Sequence, residues 1–73
     1  MKTLEEFKQE INSYIETMKP NNWRKGQAVF NYIDMKYGVA RYLQYTLGID
    51  CFYNDDVIDE FVNIAYKVLT EEL

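Results

Sequence analysis

Trp23-Arg24-Lys25-Gly26-Gln27-Ala28-Val29-Phe30-Asn31 is the stretch on which the fold turns. It reads as an amphipathic helix with Trp23, Gly26 and Phe30 on one face, at spacings of three and four. Glycine is out of place there on local grounds, because in a helix interior it costs about 1 kcal/mol relative to alanine. A second piece of backbone pressed against Gly26 would explain it, since any side chain would fill that space. The expectation is therefore a contact of main chain with main chain at Gly26, close to the centre of the fold.

Downstream, the pattern predicts a helix from about Trp23 to Tyr37. Its inward stripe is Trp23, Gly26, Phe30, Ile33 and Tyr37, with Val29 at the edge; Asn21 or Asn22 would cap it and Gly38 would end it. Upstream, Leu4, Phe7, Ile11, Tyr14, Ile15 and Met18 make the stripe of a first helix from about Thr3 to Met18. Thr3 and Glu6 have capping-box spacing, and Pro20 stops this helix. A shorter helix from about Val39 to Leu47 turns Val39, Leu43 and Leu47 inward and ends at Gly48. The apolar loop Ile49–Tyr53 leads to a fourth helix, from about Asp55 to Glu71, capped by Asn54 or Asp55. Strand-like alternation is not visible. The fold class expected is all-α, a compact bundle of about four helices in a single domain spanning 1–73, with helices two and four central.

Gln27 and Asn31 are four apart and lie beside the Gly26 and Phe30 stripe. Their expected structural role is to hydrogen-bond the backbone of the Asp50–Tyr53 loop, which Gly26 allows to come near; the functional alternative is ligand contact. Trp23, Arg24, Gly26, Gln27, Phe30, Asn31, Asp50, Phe52 and Tyr53 then form one structural unit.

The chain has no histidine, which removes the commonest general base and the Ser-His and Cys-His nucleophile pairs. Cys51 is flanked by Asp50 and Phe52, a setting that keeps a thiol protonated and buried. An EF-hand loop begun at Asp50 needs glycine at its sixth position and glutamate at its twelfth, where this chain has Asp55 and Phe61. Gly26, Gly38 and Gly48 are too widely spaced for a phosphate-binding loop. The expectation is a protein that is not an enzyme, with no catalytic residues, no cofactor and no metal. A lone cysteine suits a reducing cytoplasm, and the N-terminus shows no apolar signal core.

Charge is uneven. Residues 21–45 carry Arg24, Lys25, Lys36 and Arg41 against Asp34, a net of +3. Residues 46–73 carry seven carboxylates against Lys67, a net of -6. Either the basic middle faces the acidic end inside the domain, or both faces are simply solvated, or the acidic patch of Asp55, Asp56, Asp59 and Glu60 meets a basic partner. The overall charge of -4 argues against direct nucleic-acid binding, and no apolar run is long enough to span a membrane.

Seven tyrosines and one tryptophan exceed what so small a core absorbs. Arg41, Tyr42, Gln44 and Tyr45 on the third helix have the composition of a protein interface. The expected function is a small protein-binding module; the alternative is an acidic mimic that occupies the nucleic-acid-binding site of another protein. A second copy of the chain is also a candidate partner, through helix three, because a core of this size is marginal for a lone domain.

The run Trp23–Ile33, the segment Tyr37–Arg41 and Asp50–Tyr53 together resemble a family of very small uncharacterised proteins of tailed phages, prophages and gut bacteria. Its pattern is roughly W-R-x-G-Q-x-x-F-N followed by D-x-F-Y, and the likeness covers about Trp23 to Phe61. The resemblance implies a phage or mobile-element origin and no more; with that origin, the cytoplasm that the lone cysteine suits is a bacterial host's, and the partner is a host or phage protein, for the acidic mimic a host defence protein. The resemblance implies no reaction.

Overall fold

The first helix of the computed structural model, which describes residues 2–71, is α1 (Leu4–Met18). It starts at the expected capping box: Thr3 Oγ1 accepts the Glu6 N–H at 3.2 Å, and Glu6 Oε1 accepts the Thr3 N–H at 2.8 Å. Phe7 and Ile11 are its buried contacts.

The second helix, α2 (Lys25–Tyr37), begins two residues later than the sequence pattern suggests. Pro20 to Trp23 form a turn instead, with the Trp23 N–H donating to the Pro20 carbonyl at 3.1 Å. The Lys19 ammonium donates to the carbonyls of Pro20 and Trp23, at 3.1 and 2.7 Å, and so holds this turn from outside. Asn21 and Asn22 consequently cap nothing and are exposed, and Trp23 is half-buried outside the helix. Arg24 takes the cap position with extended backbone and no capping bond from its own side chain.

A short α3 (Ala40–Tyr42) runs on into a π-helical turn, Leu43–Leu47. Leu43 is buried as expected, Ala40 is buried beside it and Val39 is half-buried, but the wider turn carries Leu47 outward, where it is 45% exposed. Gly38 and Gly48, both at φ 73°, end α2 and the π turn in the left-handed conformation. Asn54 caps the last unit by accepting the Asp56 N–H at 2.9 Å; a 3-10 turn (Asp55–Val57) leads into α4 (Ile58–Glu71).

The described residues contain no strand, and the molecule is a small all-α bundle. Its core joins Phe7 and Ile11 of α1, Val29 and Ile33 of α2, Leu43 and Phe61. Helix α2 is central, touching α1, α3 and the turn before α4. Helix α4 is less central than expected: it packs mainly on α1, and Phe61 reaches α2 through Phe30, with ring centroids 5.7 Å apart.

A polar tie missed by the hydrophobic pattern joins α1 to α2. Glu10 accepts from the Tyr32 hydroxyl at 2.6 Å and from the Tyr37 hydroxyl at 2.8 Å. Its other neighbours are the ammonium groups of Lys36, at 2.6 Å, and of Lys2. The Glu10 side chain is only 12% exposed. Burial by itself would raise its pKa, but hydrogen bonds from Lys2, Lys36, Tyr32 and Tyr37 outweigh that and hold it at about 2.

The folded value lies below the ordinary 4.5. The tie therefore contributes fully above about pH 5 and is lost as pH falls towards 2. Glu10→Gln is expected to lower stability at pH 7 by on the order of 2 kcal/mol. Thermal melts from pH 7 to pH 2 check this: the gap between wild type and variant should close on the acid side.

Candidate functional site

Gly26 is the second residue of α2, and the Cys51 carbonyl lies directly over it. A Cβ built on Gly26 would sit 2.2 Å from the Cys51 oxygen and 2.6 Å from Asp55 Oδ1. No L-residue fits there, so the close approach inferred from the sequence is present. The Gly26 amide belongs to the first turn of the helix and has no acceptor within it. Asp55 Oδ1 accepts it at 2.9 Å. A carboxylate 29 residues further along the chain thus caps α2 and lies at the positive end of its dipole.

Other contacts close the same joint. Arg24 Nη1 is 3.5 Å from Asp55 Oδ1, and Arg24 Nη2 donates to the Phe52 carbonyl. The Cys51 thiol donates to the Gly26 carbonyl at 3.3 Å. Asp50 folds the loop on itself, its Oδ1 accepting the Phe52 N–H at 2.7 Å while its Oδ2 accepts from Gln44 Nε2 at 2.6 Å. Phe52 then meets Phe30 edge-on, with centroids 5.6 Å apart.

The amides of Gln27 and Asn31 were expected to hold this loop, and they do not: neither makes a hydrogen bond among the described residues. The loop crosses α2 one turn earlier, at Gly26. There the helix backbone itself, Arg24 and Asp55 hold it, and the amide that reaches Asp50 is that of Gln44, from the π turn.

Cys51 is fully buried. Burial first, and the nearby Asp50 charge second, push its thiol up to about 12. It is therefore protonated at neutral pH and unsuited to nucleophilic attack. The acidic patch of Asp55, Asp56, Asp59 and Glu60 is exposed, and of the four Asp55 also caps α2. No cluster of metal-ligating side chains occurs among the described residues. Among the described residues the basic middle meets the acidic end through the pair of Arg24 and Asp55, while Lys36 pairs with Glu10 and Arg41 with Asp34.

Next to the joint lies an open groove. Phe30 and Phe52 line it, with Asn31 and Asp34 from α2, Arg41 and Gln44 from α3 and its continuation, and Tyr45 and Tyr53. Tyr45 is 80% exposed and Tyr53 77%. Arg41 Nε is 3.6 Å from Asp34 Oδ2, across the groove wall. Tyr42 is exposed but does not line the groove. Two sets of residues that look separate in the sequence, the Arg41–Tyr45 surface and the Phe52-Tyr53 end of the motif, therefore share one concavity. Asp34 belongs to it as well, without any signal in the sequence beyond its place one turn after Phe30.

Comparison of the chain with protein-family models, with curated proteins and with solved structures finds no match. None of the described helices is long and apolar enough to cross a membrane.

Gly26→Ala is expected to lower stability by about 2 kcal/mol or more, although alanine is the better helix former, because the Cys51 backbone must move. Thermal melting should show a midpoint roughly 10 °C lower. Asp55→Ala is expected to cost about 1 kcal/mol by uncapping α2, and Asp55→Asn less, since the amide oxygen can still accept. Denaturant unfolding of the two variants side by side measures the difference.

Proposed function

We propose that this chain is a small, non-enzymatic protein-binding module that modulates a host or phage protein and derives from a phage or mobile element. The observation that carries the reading is the groove beside the Gly26 joint, with Tyr45 and Tyr53 at 80% and 77% exposure around a floor of Phe30 and Phe52. Tyrosine and arginine held at the surface of a rigid frame are the side chains that anchor protein interfaces. Tyrosine gains contact area at little cost in rotamer freedom. The joint beneath supplies the rigidity: the loop bearing Tyr53 is tied to α2 at Gly26 and to Gln44 through Asp50. The absence of histidine and the protonated Cys51 leave no familiar nucleophile-base pair, which supports a role in binding rather than in catalysis.

The second reading, an acidic mimic of nucleic acid, is supported by the exposed Asp56, Asp59 and Glu60. Asp55, the fourth carboxylate of the patch, is held by the Gly26 amide and by Arg24, with its side chain 47% exposed.

Affinity capture from host lysate tests the proposal when run with wild type, Tyr45→Ala with Tyr53→Ala, and Asp56→Asn with Asp59→Asn and Glu60→Gln. The binding module predicts partners lost with the tyrosine pair and retained by the charge variant. The mimic predicts the reverse. Partners that survive both sets of changes, or no partner above background, contradict the groove as the contact surface.

A further inference from the structure

We infer that the groove between Tyr45 and Tyr53 receives an arginine side chain of the partner protein, an inference that rests on the binding-module reading. Three features of the groove match a guanidinium. Tyr45 and Tyr53 present aromatic rings, whose faces attract a cation and stack on its planar head. Asp34 supplies a carboxylate on the same wall, its side chain 29% exposed. Asn31 adds an amide whose oxygen accepts nothing among the described residues and so is open to an N–H donor.

The cation now paired with Asp34 is a weak competitor. Arg41 lies at 3.6 Å and is 74% exposed, a solvent-screened arrangement of little energetic consequence. An incoming guanidinium with aromatic rings beside it gains what Arg41 lacks. Of the residues that line the groove, Asp34 carries the carboxylate that draws a cation. A lysine would feel the same field but would lose the planar stacking and the forked donor geometry. The site therefore discriminates between the two basic residues, which the acidic surface by itself does not.

The test is an NMR titration of the full chain with N-acetyl-Gly-Arg-Gly-amide and, separately, with its lysine counterpart at millimolar concentration. The expected result is shifts centred on Asn31, Tyr45 and Tyr53, with the arginine peptide binding about threefold or more tighter than the lysine peptide. Tyr53→Ala and Asp34→Asn should each weaken the arginine peptide about threefold. Asp56→Asn with Asp59→Asn should leave it unchanged. Equal affinity for both peptides, shifts centred on Asp56, Asp59 and Glu60, or no shifts at all would each overturn the inference. A captured partner that depends on Tyr45 and Tyr53 but is not displaced by the arginine peptide would remove the arginine and leave the binding module standing.

Discussion

The Cys51 carbonyl occupies the space where any residue but glycine at position 26 would carry a side chain, and the rest of the molecule is arranged around that contact. It brings the Asp50–Tyr53 loop onto the start of α2. That placement lets Asp55 accept an amide which would otherwise face the loop without a partner. It sets Phe52 against Phe30, and through Phe30 against Phe61, so the loop, α2 and α4 share one aromatic cluster. It also points Tyr53 into the groove formed with Tyr45. Remove the close approach and the cap, the cluster and the groove lose their common support.

The opposite end of α2 is held differently. Glu10 collects Tyr32, Lys36 and Tyr37 from the later turns of the helix and Lys2 from the start of the chain. The central helix is thus pinned near its N-terminus by backbone proximity and along its later turns by a nearly buried carboxylate. Neither pin is a disulfide or a metal. In a chain of 73 residues, whose core is necessarily small, such specific ties do much to select one packing among the alternatives open to four amphipathic segments.

The joint was legible in the sequence because its cause is local. A glycine inside an apolar helical stripe has a known cost, and few things offset it. The Thr3 and Glu6 capping box and the Asn54 cap were legible for the same reason, since all the partners lie within three residues of one another. The start of α2 was not legible. It depends on a turn at Pro20 that Lys19 holds by its side chain, and nothing in the apolar spacing registers this. The exposure of Leu47 was not legible, because a spacing of four puts Val39, Leu43 and Leu47 on one face only of an α-helix, and the chain there takes a π turn. Glu10 went unnoticed because its donors lie eight to 27 residues away and are brought together only by packing. The groove was half legible: tyrosine surplus marked Tyr45, the motif marked Tyr53, and only the folded chain joins them.

Hydrogen exchange at the Gly26 amide tests the central contact most directly. The second amide of a helix has no acceptor inside that helix and ordinarily exchanges quickly. With the Asp55 carboxylate bound to it and the Cys51 backbone over it, the amide should be protected to nearly the same degree as the core amide of Ile33. Exchange of Gly26 as fast as that of its neighbour Lys25, while Ile33 remains protected, would contradict the account.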